Sequence, residues 1–204
     1  MSLETWIVFC ATETVLCLTP GPAVLFVVST ALARGARPGF AGALGVLAAN
    51  VAYFAISATG VAAVILASHD LFGALKWAGA AYLVWMGLGM LRGRGRGGPE
   101  AVAPAARRAL LRGVVVQGAN PKALMFFVAL LPQFIDARGS VSWQVLVLGT
   151  SSVLIELTVL ALYVAAAVRA RRTASEGWLA TRLERVGGAF LIAAGGRLAL
   201  GRAE

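Results

Sequence analysis

Long apolar runs, separated by short stretches rich in arginine, set the rhythm of this chain. Six such segments emerge, approximately Leu3 to Ala33, Gly39 to Ala67, Leu71 to Leu91, Gly113 to Ile135, Trp143 to Val168 and Leu183 to Leu200. Each reaches about 18 residues or more, the length at which a helix rising about 1.5 Å per residue crosses a hydrocarbon core about 30 Å thick. The pattern predicts an all-α, polytopic membrane protein with six hydrophobic segments. The one clear linker, RGRGRGGPEAVAPAARR from Arg92 to Arg108, is too rich in Gly, Pro and Arg for a packed element and reads as a flexible loop.

Composition strengthens that reading. The chain is 59% hydrophobic and 13% charged, whereas a soluble domain is about 45–50% apolar and about 25% charged. No Lys or Arg precedes Arg34, so the first run lacks the basic start of a cleavable signal peptide and reads as a retained helix. The net charge of +9 would attract phosphate, but its position argues against nucleic acid as a partner. Thirteen of the basic residues fall after segments one, three and five (34 and 37; 92, 94, 96, 107, 108 and 112; 169, 171, 172, 182 and 185), and only Lys76, Arg138, Arg197 and Arg202 fall on the other side. By the positive-inside rule the odd-to-even loops face the cytoplasm and both termini lie outside. A first segment that dips in and returns would move the N-terminus to the cytoplasm.

Two segments are interrupted in the same manner. Thr19-Pro20-Gly21-Pro22 breaks the first and Asn120-Pro121-Lys122 the fourth. In each, a residue favoured as an N-cap precedes a proline suited to the first helical position, and an apolar run follows. Each therefore starts a half-helix within the membrane, with Thr19 and Asn120 as the expected caps. Non-helical backbone at that depth needs protein or a water-filled cavity to satisfy its polar groups. Two helix N-termini facing one cavity would favour an anionic group such as a carboxylate. Broken helices in corresponding positions of two halves point to a transporter binding site, and three segments per half imply insertion in opposite orientations. The expected organisation is one domain over residues 1–204, with repeat one at about 1–91, a loop at about 92–112 and repeat two at about 113–200.

Ionisable groups inside spans are costly and functional by default. Glu13, Lys122 and Glu156 qualify. Glu156 sits in the middle of the fifth segment and could carry a coupling proton or meet a substrate ammonium group. Lys122 could bind a substrate carboxylate or pair with Glu156 or Glu13. Asn50 and Gln117 are uncharged polar candidates, either as contacts between helices or with a substrate. Gly42 and Gly45 read as sites of close helix packing. Cys10 and Cys17 lie seven residues apart on one helical face, cannot bridge within one helix, and read as small lipid- or helix-facing residues. His69, beside Asp70 in a short loop, is a lone histidine and makes no metal cluster.

Taken together, these motifs resemble the lysine exporter and homoserine/threonine resistance (LysE/RhtB) family of bacterial amino-acid effluxers. The likeness runs over nearly the whole chain: TPGP at Thr19 to Pro22, LKWAGAAYLVWMGLGML from Leu75, NPKALMFF and LPQF between Asn120 and Phe134, the acid at Glu156, and the terminal GGAFLIAAGGRLAL. It implies a multi-pass protein of the bacterial inner membrane that exports small amino acids or derivatives, coupled to protons, without cofactor or catalysis, and associated as homodimers. Substrate contacts would come from Thr19, Pro20, Gly21, Pro22, Ala23, Asn50, Gln117, Asn120, Pro121 and Lys122, and coupling from Glu156 and Glu13. The chain departs from the family where Ala23 follows the PGP and where Asn50 stands in place of an acid, leaving Glu156 and Glu13 as the proton candidates. The alternatives are a carrier of another small solute or of a divalent metal ion on the same fold. A membrane enzyme would need a nucleophile or metal-ligand cluster that these residues do not offer.

Overall fold

The computed structural model describes residues 1–58, 102–136 and 138–173, with single positions at 77, 81, 84, 85, 88, 91, 185, 189, 192, 193 and 196. Apart from those positions, the predicted third and sixth segments, His69, Asp70 and the first part of the linker lie outside the described residues. Helix α1 runs from Leu3 to Leu18, capped by the Ser2 hydroxyl accepting from the Thr5 N–H. It stops because Pro20 pushes Thr19 into extended backbone (φ −75°, ψ 116°). Helix α2, Pro22–Arg34, leaves at 51° to α1. Gly35 then reverses the chain within one residue; its φ of +90° is a value that side-chain-bearing residues rarely adopt. Helix α3, Ala36–Ala58, follows at once.

The second described stretch begins with helix α4, Val102–Gly118, and this corrects the expected loop. Residues 102–108 are helical rather than flexible. The proline at 104 falls in the first turn, where no intrahelical N–H is needed, and Ala105 and Ala109, one turn apart, are buried. After a break come α5, Pro121–Met125, a π-helical turn over Phe126–Leu130 and a 3₁₀ turn over Leu131–Phe134. Helix α6 spans Val141–Thr173. Among the described residues there is no strand.

By length and composition, α3 (mean hydropathy 1.7) and residues 141–171 of α6 (mean hydropathy 2.2) can each cross a membrane, and the bent pair α1–α2 makes a third candidate. Helix α3 is the centre of the bundle, packed most extensively on α4 and also on α6 and α2. Its approach to α4 is backbone against backbone: a Cβ on Gly45 would enter the Leu110 carbonyl, and one on Gly113 would enter the Gly42 carbonyl. Such closeness replaces the hydrophobic drive that helices lack in lipid. The Gly35 turn lies against the Arg171 guanidinium, and Gly42, in the second turn of α3, lies close to Ala109 of α4. The basic turn after α2, the Arg107–Arg108 turn of α4 and the basic end of α6 therefore share one end of the bundle.

Two apolar clusters fill the interior. One joins Val27, Ala31 and Leu32 of α2 to Val46, Val116, Leu160 and Val164. The other joins Phe9, Phe54, Phe127, Leu131, Val145 and Leu148, with Phe9 edge-on to Phe134 at 5.2 Å.

Candidate functional site

The two breaks meet. The Lys122 ammonium donates to the carbonyls of Leu16 and Thr19 (2.9 Å to the latter) at the end of α1, and a Cβ on Gly21 would rest 3.5 Å from the Lys122 stem. A cation at a helix C-terminus satisfies carbonyls that have lost their intrahelical donors and opposes the negative end of the helix dipole.

The caps are not alike. At the second break Asn120 behaves as the sequence suggests: its side chain accepts from the Lys122 N–H (3.1 Å) and Pro121 takes the first helical position. At the first break the expected cap is shifted by two residues. Gly21 is the N-cap and Pro22 the first helical residue, with no side-chain cap. Thr19 instead ends α1, its hydroxyl donating back to the Val15 carbonyl at 2.8 Å. The reason lies in the second proline: Pro22 suits the first helical position, while Pro20 forces Thr19 out of the helix. The start of α2 thus presents backbone N–H groups that no side chain covers.

Between the breaks lies a cavity of about 60 Å³, lined by Glu13, Cys17, Gly21, Ala23, Asn50, Gln117, Asn120, Lys122, Phe126, Phe127 and Glu156 among others. That is room for a few waters. Its walls draw on both apolar clusters, through Val24 and Leu160 on one side and Phe127 on the other. Thr19, Pro20, Pro22 and Pro121 stand at the breaks without lining it.

A chain of side-chain amides crosses the wall. Asn120 Nδ2 donates to Gln117 Oε1 (2.9 Å), Gln117 Nε2 donates to Asn50 Oδ1 (2.7 Å), and Asn50 Nδ2 donates to Glu156 Oε2. Each amide passes its donor on in the same direction, and the chain terminates on a carboxylate acceptor. All four residues are buried, so every link replaces a hydrogen bond that water would otherwise supply. The second acid, Glu13, is held separately: it accepts from the Ser152 hydroxyl at 2.5 Å, with the Cys17 thiol 3.7 Å away. Glu13 and Glu156 are only 5% and 8% exposed. Lys122 makes its hydrogen bonds to carbonyls and not to either acid, so of the two roles the sequence left open for it, pairing with Glu13 or Glu156 is not made among the described residues, and two acids and one cation share a cavity.

Besides apolar residues such as Val24 and Leu160, the wall holds Cys17, Phe126 and Phe127, which were not among the sequence candidates. Cys17, expected to face lipid or a neighbouring helix, lines the cavity; it follows Glu13 by four residues, so the shared helical face was the available signal. Phe126 and Phe127 gave none, since two phenylalanines in an apolar run are ordinary. Both reach the wall where the π turn widens the helix. Among the described residues no three His, Cys, Asp or Glu side chains are grouped to hold a metal ion.

The model of a family described as "LysE type translocator" matches residues 14–202. An "Uncharacterized membrane protein" of Vibrio cholerae is 31% identical over 100% of both chains. The "Homoserine/homoserine lactone efflux protein" of Salmonella typhimurium is 31% identical over 83% of each chain. A "Leucine efflux protein" of Klebsiella pneumoniae is 35% identical over 59% of this chain and 58% of its own. No solved structure matches.

Proposed function

The chain belongs to the LysE type translocator family, and from that premise we propose that it is a secondary transporter exporting a small amino acid or amino-acid derivative, coupled to protons. The observation that carries this reading is the meeting of Lys122 and Glu156 on one cavity between two helix breaks. A zwitterion presents a carboxylate and an ammonium group a few ångströms apart, and the cavity offers a partner for each. The carboxylate goes to the uncovered N–H groups at the start of α2 and to Lys122, whose ammonium has three donors and spends two on the carbonyls of Leu16 and Thr19. The ammonium goes to the acids. The relatives named for homoserine and leucine efflux support an amino-acid cargo. A site for a divalent metal ion would need more ligands than the described residues of this wall supply.

In this reading Gly21, Ala23, Asn50, Gln117, Asn120 and Lys122 form the substrate wall, while Thr19, Pro20, Pro22 and Pro121 shape the breaks. Glu156 carries the coupling proton and Glu13 assists. The chain is one transporter domain whose halves, at about 1–91 and 113–200, form an inverted repeat. The shared basic end faces the cytoplasm and both termini lie outside.

The test is efflux from cells or vesicles that contain the overproduced protein. Glu156→Gln keeps the shape and a hydrogen-bond acceptor but cannot exchange a proton. It is expected to abolish gradient-driven efflux while membrane insertion stays intact. Efflux at the parent rate would remove Glu156 from the mechanism. Resistance on overproduction to metal salts, instead of to amino acids, would overturn the cargo.

A further inference from the structure

Two tyrosines outside the cavity wall obey one rule. Tyr163 of α6 donates its hydroxyl to the carbonyl of Leu18, the last residue of α1, at 2.9 Å. Tyr53 of α3 donates to the carbonyl of Gly118, the last residue of α4, at 2.7 Å. In both cases the covalent chain denies the carbonyl its helical donor. The Leu18 carbonyl would be served by the N–H of residue 22, which is proline. The Gly118 carbonyl would be served by Lys122, whose N–H is taken by Asn120, or by residue 121, again proline. Leu18 and Gly118 both lie at the surface of the bundle, where a bilayer offers a carbonyl little water to replace the missing donor, and each tyrosine supplies one.

The exchange is reciprocal. Each tyrosine belongs to the long helix that follows the break in one half of the chain, and it caps the helix that precedes the break in the other half. Each also sits one turn from the cavity on its own helix, Tyr53 three residues after Asn50 and Tyr163 three after Leu160. Tyr53 further stacks on Phe127 of the wall, ring centroids 4.8 Å apart.

We propose that Tyr53 and Tyr163 are a matched pair of positioning residues, two latches that fasten each break to the opposite half, so that widening the cavity between the breaks requires a latch to release. The proposal rests on reading the cavity as the transport path, but its test needs no substrate. Cys17 already stands on the wall, and Cys10→Ser leaves it as the only thiol of this two-cysteine chain. In that background the full-length protein in proteoliposomes is exposed to a small water-soluble methanethiosulfonate, and the rate of Cys17 modification is followed.

Tyr53→Phe and Tyr163→Phe each keep the ring and lose the hydroxyl. Each is expected to speed modification by about three- to tenfold, the range of one net hydrogen bond. Amino-acid efflux by the same preparations, expressed per amount of folded protein recovered by gel filtration, should change in maximal rate at an unchanged half-saturating concentration. Two folded Phe variants that label at the parent rate overturn the latches. Should a Phe variant fail gel filtration, 4-aminophenylalanine at that position keeps the ring and an N–H donor at the same reach and must label at the parent rate; a folded variant of that kind with faster labelling overturns the proposal as well. Accelerated labelling in a protein that moves no amino acid would leave the latches standing and sink the cargo assignment instead.

Discussion

Asn50 shows how much a single amide can hold together. It accepts from Gln117 and donates to Glu156, so Asn50→Leu would strand two buried polar groups at once. Each unsatisfied group costs about 1–3 kcal/mol, and the variant should unfold at a clearly lower temperature in detergent. Asn120→Ala removes one helix cap, worth about 1 kcal/mol, and strands one buried acceptor, Gln117 Oε1, so it should cost less than Asn50→Leu, which strands two. Equal melting of both variants and the parent would show that the amides are not linked as drawn. Residues of this kind stand out in a sequence because polar groups in lipid demand an explanation, and Glu13, Asn50, Gln117, Lys122 and Glu156 all come to one cavity. What the sequence withholds is partnership. Nothing in its spacing says that Lys122 reaches carbonyls sooner than acids, or that Ser152 holds Glu13.

At the scale of elements, the breaks were legible because proline and glycine act on local backbone, within one or two residues of where they stand. The position of the first cap was not, since a Pro-Gly-Pro run offers two candidate starts and only the packed structure selects Pro22. Helix α4 was hidden for a related reason. Its first turn has the composition of a linker, and only burial of Ala105 and Ala109 against the bundle makes it helical. The π turn over Phe126–Leu130 has no compositional mark at all, though such turns recur at functional sites. The α3–α4 crossing gives a prediction with its own control. Gly45→Ala and Gly113→Ala would each drive a methyl group into a facing carbonyl and should destabilise by about 1–3 kcal/mol. Gly118→Ala meets nothing within 4 Å and should leave thermal unfolding unchanged. A crossing that tolerates all three alike would mean that α3 and α4 sit farther apart than described.

Over the whole molecule, the asymmetry of arginine and the geometry of the bundle agree on which turns lie together. The turn at Gly35, the Arg107–Arg108 turn of α4 and the basic end of α6 share one end, and placing that end in the cytoplasm predicts which thiols an impermeant reagent can reach. Single cysteines introduced into a Cys10→Ser, Cys17→Ser background at position 96 or 172 should label only in inside-out vesicles, and one at Ser2 only in right-side-out vesicles. Labelling of position 2 from the cytoplasmic side would turn α1–α2 into a re-entrant hairpin. The helical class and membrane character follow from apolar length alone, whereas the inward or outward facing of each loop is a matter of charge and membrane potential that the bundle does not record. The reciprocal caps have a consequence for biosynthesis. A nascent chain that has inserted only its first half exposes the carbonyls of Leu18 and Thr19 before Lys122 and Tyr163 have left the ribosome. Until the later helices arrive, water or a lipid headgroup must stay beside that unfinished end, so neither half can complete its fold alone.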